Sequence, residues 1–524
     1  MEKSLNTSSE ATEIALHGEA IVTDKVGTDA DRHDMFRMGK VQQMQRIFNL
    51  FPMVSFSIIL MASWEIALGA SVISIFNGGV AGTLYMYIVC WGGFLAVYSS
   101  MAEMGSMAPT SGGQYHWVSE FAPPRYQKIL SYFVGWLSTL GWQIAVISTA
   151  FQAGVQIQGL LVLNYPDYIF ERWHGTLLVI AVVSFGCLFN IFLAKQLPFM
   201  EVLFLIFHIC GFFCILVPLL VLGKKSSSKE VWTVFFDGGW NNQGFSTLVG
   251  ILAGVIPLLG ADAAAHMAEE LQDAAYTLPR AMMYSTIANG GMGLVMMIAY
   301  CYVIGDFLTV YSTPTGFGYI KVFYNVTGSH AGASAMCSAV IIVIVFCSTT
   351  MLATTSRQLF AFARDRGVPF SSWFAHVNPR FQLPINSIIF SFFFSALLSL
   401  INIGSTVAFN IINSVGTVAL MISYMICISC LLWRKLTHQP LLPSKYPPGR
   451  GMIGIAINVF ALCFLPVVFI FSFFPPYPEP ALTLPWMNFA CVIFGAVVIF
   501  SAVWYVVKAR FVYDGPVAYV KKLE

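Results

Sequence analysis

Apolar residues along this chain gather into long runs separated by short polar segments. They show neither the alternation of a strand nor the one-sided stripe of a surface helix. About 20 apolar residues suffice to cross a bilayer core. Runs of that kind lie at 51–76, 80–103, 128–154, 175–195, 197–222, 245–271, 281–306, 331–355, 385–402, 405–433, 452–474 and 485–508. They predict an all-α polytopic membrane protein of about twelve transmembrane helices, with the weakest division at 402–405. Residues 1–47 are polar, mixed in charge and without the apolar stretch of a cleavable signal peptide. They are expected to form a disordered tail, leaving the first span as the targeting signal. The transmembrane domain then covers 48–508, and 509–524 form a short C-terminal tail.

Composition supports this reading. Of 524 residues 57% are hydrophobic and 10% charged, against roughly 25% charged in a soluble domain. A formal net charge of +2 gives no reason to expect a nucleic-acid partner; the lipid bilayer is the partner implied. Of the 27 Lys and Arg, only Arg172, Lys224, Lys225, Lys229 and Lys321 fall on the side opposite the termini. The positive-inside rule therefore places both termini in the cytoplasm. Asn325-Val326-Thr327 then lies in an outside loop as a glycosylation candidate, whereas Asn6-Thr7-Ser8 lies in the cytoplasmic tail. Cys427 and Cys430 form a C-x-x-C inside the run 405–433, where thiols act as small apolar groups. There is no H-E-x-x-H, no G-x-S-x-G and no phosphate-binding loop, so neither an enzyme nor a cofactor or metal is expected.

Two runs differ from the rest. The run 51–76 would be roughly 39 Å long if fully helical and carries Ala62-Ser63-Trp64-Glu65 in its middle, with Gly69 soon after. The run 245–271 carries Pro257, Gly260 and Asp262. These are the first and sixth runs, so they match in two five-helix halves. Interrupted helices in matching positions point to inverted repeats around a midplane site, here about 51–222 and 245–433, with 452–474 and 485–508 as two extra helices.

Ionisable residues inside the runs are costly unless partnered. Glu65 reads either as a structural hydrogen-bonding group or as a counter-ion for a cation or proton carrier. Trp64 beside it either packs or offers its ring face to an ammonium group. Asp262 either caps the half-helix that follows or contacts substrate or ion. His208 and His266 are satisfied core residues or proton-coupling groups. Glu103 and Glu201 lie near the cytoplasmic edge, where hydration or a gating pair is expected. Gly250 and Gly254 are spaced for close helix packing.

Several segments together resemble a known family. They are Met101-Ala-Glu103 through Pro109, Gly112-Gly113-Gln114-Tyr115 and Trp117; Ala122-Pro-Pro-Arg125-Tyr; Asp262-Ala-Ala-Ala-His266 with Glu269-Glu270 and Pro279-Arg280; Phe362-Ala-Arg364-Asp365-Arg366-Gly367; and Phe474-Pro-Pro476 with Met487-Asn488. Over roughly 48–515 the chain resembles the amino acid–polyamine–organocation transporters, in their fungal amino acid/choline branch. The resemblance implies a LeuT-like fold of ten helices in two inverted halves plus two more, rocking between inward- and outward-open states. It implies that helix-break N–H groups hold a substrate carboxylate, here at Ala62, Ser63, Trp64, Glu65, Gly260, Ala261 and Asp262, with Trp142 of span 3 (beside Trp136, Gly141 and Gln143) as a pocket wall. Several proton-coupled relatives carry a Lys in helix 5; this chain has none there, leaving His208 or Glu201 as substitutes. Ser348, Thr349 and Thr350 match the region where sodium-dependent relatives bind their ion, although such hydroxyls also bond back to their own helix. The coupling candidates are thus Glu65, Glu201, His208, Asp262, Ser348 and Thr349. The function implied is a secondary active, proton-coupled carrier of a small amine-bearing solute (choline, GABA or an amino acid) in the plasma membrane. The alternatives are an uncoupled facilitator or exchanger and a non-transporting sensor; the short tail favours a carrier.

Overall fold

The computed structural model describes residues 27–447, 449, 451–478, 488–513 and 515–516, without the side chains of 406–410. Met487 of the turn motif, Asn6 of the tail sequon and the start of the last predicted span lie outside the described residues. Among the described residues there is no strand beyond two isolated bridges, Phe48 with Leu271 and Asn378 with Leu383.

The first apolar helices, Leu50–Met61 and Ser63–Met107, run on for 58 residues. At about 1.5 Å per residue this is roughly 87 Å, far more than one bilayer core of about 30 Å. The chain turns back at Gly79, where φ is 68° and an added Cβ would sit 2.6 Å from the Phe236 nitrogen. Glycine is required by both the dihedral and the contact. Span 1 is therefore Leu50–Met61 with 63–78, and span 2 is 80–107. Spans 3 to 5 are Gln127–Asn164, Arg172–Phe192 and Leu197–Leu222. Span 6 is broken into short pieces from Gln243–Val249 to Ala263–His266. Spans 7 and 8 are Ala274–Val303 and His330–Arg364. Span 9 is Ile385–Ser399 with Ile401–Gly404, and spans 10 to 12 are Thr406–Leu436, Met452–Phe471 and Ala490–Trp504. Among the described residues, the eleven candidate helices give twelve passes once Leu50–Met107 is divided at Gly79. The two interrupted spans are the most buried and span 12 the most exposed, so the broken helices form the centre and the last helix the rim.

Three expectations about the elements need correction. Residues 27–47 are ordered rather than a disordered tail. A helix, Asp29–Arg37, opens with a Thr28–Asp31 capping box. The Asp31 carboxylate also accepts from the backbone of Asp273 (2.8 Å) and Ala274 (2.9 Å), capping span 7 from outside. Arg46 donates to the Ala268 and Leu271 carbonyls. Residues 27–47 thus form a strap whose polar residues satisfy helix-end groups that otherwise lack partners. Span 3 runs ten residues past its predicted end at 154. Gln156 and Gln158, polar in sequence, are buried there, and Gln158 donates to the Glu171 carbonyl at 2.7 Å. Asn325 is exposed but stands in the helix Gly318–Thr327, not in an open loop.

Candidate functional site

The break in span 1 is made by Ala62, which adopts the left-handed conformation (φ 39°, ψ 50°). The carbonyls ending the first half-helix find side-chain donors. Asn289 donates to Ile58 at 3.0 Å and the Cys347 thiol to Leu60 at 2.9 Å. The half-helix that follows begins at Ser63, and the N–H groups of its first turn have no preceding carbonyls to bond. The Ser63 hydroxyl donates to the Pro257 carbonyl, tying the two breaks together.

In span 6 the helix ends at Leu258. Leu259 is extended and Gly260 has φ 116°. The Tyr98 hydroxyl accepts from the Gly260 N–H at 2.8 Å and donates to the Leu258 carbonyl at 3.2 Å. A Cβ on Gly260 would lie 2.7 Å from Leu60 Cδ2 and 3.9 Å from the Trp142 ring. The two breaks and Trp142 therefore converge on one point. Gly260→Arg is expected to abolish uptake while leaving delivery to the membrane measurable by surface labelling; uptake at the wild-type rate would remove span 6 from the pathway.

Two groups of buried ionisable side chains stand at the breaks. Next to the span 1 break, Glu65 Oε1 lies 2.7 Å from His208 Nδ1 of span 5, and both side chains are fully buried. Glu65 Oε2 and His208 Nε2 have no protein partner. The Trp64 ring lies 5.7 Å from the His208 ring and 6.1 Å from Phe212. At the span 6 break, both oxygens of Asp262 are engaged, by Tyr424 at 2.6 Å and Gln114 at 2.5 Å. Asp262 makes no side-chain cap, contrary to the capping expectation, because these two donors draw the carboxylate sideways toward span 10 and the segment after span 2. His266 packs on Trp142 at 5.5 Å and lies 2.9 Å from the Ser111 carbonyl.

Glu201 is not a hydrated edge group. It is fully buried and accepts from Thr350 of span 8 at 2.8 Å, with its other oxygen unpartnered. Thr349 bonds back to the Val345 carbonyl at 3.0 Å, and Ser348 is buried beside it. Glu103 pairs with Lys435 at 2.6 Å, and Lys435 also donates to Asn458 at 3.0 Å. Lys435 and Arg357, counted from sequence as loop charges, are buried within spans 10 and 8. All eight residues expected at the substrate site (Ala62, Ser63, Trp64, Glu65, Trp142, Gly260, Ala261 and Asp262) are buried, so this conformation shuts the site off from water. Among the described residues, no His, Cys, Asp and Glu cluster could hold a metal.

On the face that carries residues 27–47, charge pairs close the way out. Arg364 makes two 2.7 Å bonds to Glu269, Arg357 reaches Glu270 at 2.8 Å, and Asp365 takes Tyr115 at 2.9 Å together with Lys40 of the strap. Burial alone would push the Asp365 carboxyl up, but Lys40 and Arg364 outweigh it and hold it below the ordinary carboxylate range. Glu269 is likewise pushed up by burial and held down overall by Arg364, Lys40 and Arg46. A carboxylate depressed in the folded state stabilises above its unfolded value, and that contribution is lost as pH falls through the folded one. As pH falls from neutral, the strap is therefore expected to stay locked to about pH 5 and to loosen only below about pH 4, read as the onset of protease cleavage within 27–47.

Sequence reasoning singled out Glu65 and His208 but not their pairing, which joins positions 143 apart. It assigned no role to Tyr98, Tyr424 or Lys435. A Tyr in an apolar run carries no signal of its own, and its partner lies on a distant helix.

Comparison with known proteins now places the chain. Residues 48–498 match the family described as amino acid permease. The chain belongs to that family. Among similar permeases is one from Macrophomina phaseolina named "Putative amino acid/polyamine transporter", 32% identical over 81% of this chain and 94% of its own length. The choline transporter of Saccharomyces cerevisiae is 27% identical over 89% of this chain and 82% of its own. An amino-acid permease of Arabidopsis thaliana is 27% identical over 94% and 97%. The fold is also that of a solved manganese transporter from Eremococcus coleocola, crystallised with an aromatic bis-isothiourea compound. It matches at a TM-score of 0.53 and 11% identity, covering 88% of this chain and 94% of that one. This permease is accordingly a membrane transporter with the LeuT-like architecture.

Proposed function

We propose that this permease is a secondary active, proton-coupled carrier of a small amine-bearing solute, of the class of choline, GABA or an amino acid. The observation that carries the reading is the fully buried Glu65–His208 pair beside the convergent breaks of spans 1 and 6. A carboxylate held in a water-free centre is stable only with a compensating positive charge. His208 supplies it when protonated, and a bound ammonium supplies it otherwise. Substrate and proton thereby compete for, or share, one anion, which is a direct means of coupling their movements. The ring face of Trp64 adds a second attraction for an ammonium, and Trp142 walls the opposite side. Relatives named as a choline transporter and an amino-acid permease support a small amine-bearing solute.

The site is closed here, so transport requires the strap and the Glu269–Arg364 and Glu270–Arg357 pairs to part when the N-terminal face opens. With both termini in the cytoplasm and the protein in the plasma membrane, that opening faces the cell interior. The test is concentrative uptake in cells before and after a protonophore. Accumulation above equilibrium should collapse when the pH gradient is dissipated. Accumulation that persists would remove the proton from the mechanism and leave an uncoupled or differently driven carrier.

A further inference from the structure

The positive ends of two half-helices usually make a broken-helix site attractive to a carboxylate. In this protein each end carries a carboxylate of its own. Glu65 stands in the first turn after the span 1 break, with its Oε1 on His208 Nδ1. Asp262 stands at the start of the half-helix after the span 6 break, fixed by Tyr424 and Gln114. The Gly260 N–H, which would otherwise point into the gap, is consumed by the Tyr98 hydroxyl. Buried Lys and Arg side chains are each paired with a carboxylate, Arg357 through Nε to Glu270 with its Nη2 unpartnered, Arg364 to Glu269 and Lys435 to Glu103. An incoming carboxylate would meet two buried carboxylates and one occupied donor. An incoming ammonium would meet the bare Glu65 Oε2 and the Trp64 ring.

Resting on the carrier reading above, we infer that the solute is an organic cation without a carboxylate, a primary or quaternary amine, and that Tyr98 and Asp262 are the residues that turn zwitterions away. Tyr98 does so by filling the Gly260 donor, and Asp262 by placing a fixed negative charge where the zwitterion's carboxylate would lie. Neither touches the ammonium. Their removal changes which solutes are accepted, an effect that a purely structural role would not produce.

The experiment is uptake by the purified full-length protein in liposomes, using labelled choline, ethanolamine, GABA and alanine, each also tested as a competitor of the others. The wild type is expected to take up choline or ethanolamine at least ten-fold faster than GABA or alanine. Tyr98→Phe and Asp262→Asn, singly and together, are expected to narrow that ratio by at least ten-fold. Wild-type uptake of GABA or alanine at the rate of the amines would overturn the inference and leave the carrier reading intact. Folded variants whose ratio is unchanged would overturn the roles given to Tyr98 and Asp262. Uptake of none of the four by folded wild type would overturn the carrier reading itself. The wild-type comparison needs no substitution, so misfolded variants do not remove the test.

Discussion

Glu65→Gln is expected to lower uptake of a cationic solute by more than 100-fold in kcat/KM, with normal folding and delivery to the membrane. Gln keeps the shape and the contact with His208 but removes the charge. Removing one partner of a buried charge pair between protein and ligand costs about 2–5 kcal/mol of binding, and each 1.4 kcal/mol is about ten-fold. The substitution should also weaken the pH dependence of transport, because the Glu65 anion then needs neither a proton nor an ammonium. His208→Gln separates the two roles. It leaves Glu65 available to an ammonium, so equilibrium exchange should survive while accumulation driven by a proton gradient is lost. Uptake by Glu65→Gln at the wild-type rate, measured per molecule at the surface, would sink the counter-ion role.

Lys435→Met should produce the largest loss of stability. Lys435 is held between Glu103 and Asn458 in a water-free position, and its removal leaves the Glu103 carboxylate buried without a counter-charge. The expected cost is about 3–5 kcal/mol, whereas replacing both members with apolar residues of similar volume is often close to neutral. The double substitution Glu103→Leu with Lys435→Leu should therefore recover most of the thermal midpoint lost by Lys435→Met in detergent. No recovery would mean that Lys435 acts through something other than this pair, such as its bond to Asn458, which continues to Ser100.

The twelve passes and the paired breaks were legible because they rest on local signals. Apolar length marks a span, and Pro257, Gly260 and the Ala62–Glu65 segment mark interruptions. What was not legible depends on partners far apart in the chain. Glu65 and His208, Asp262 with Gln114 and Tyr424, and Glu103 with Lys435 each join different helices. A carboxylate in an apolar run announces that it needs compensation, not what supplies it. The strap failed for a related reason. Its polarity resembles that of a solvated tail, yet Asp31 and Arg46 serve the frayed ends of spans 6 and 7. Span 3 was cut short because Gln156 and Gln158 look like a boundary until the helix that buries them is in place.

The measurement that bears most directly on the carrier reading is uptake of labelled amines and amino acids by the purified protein in liposomes, with and without an inward proton gradient. The account predicts accumulation of at least one amine above its outside concentration when the gradient is present, and simple equilibration when it is absent. Folded protein that moves none of the solutes under either condition, or that concentrates them without regard to the gradient, would contradict it.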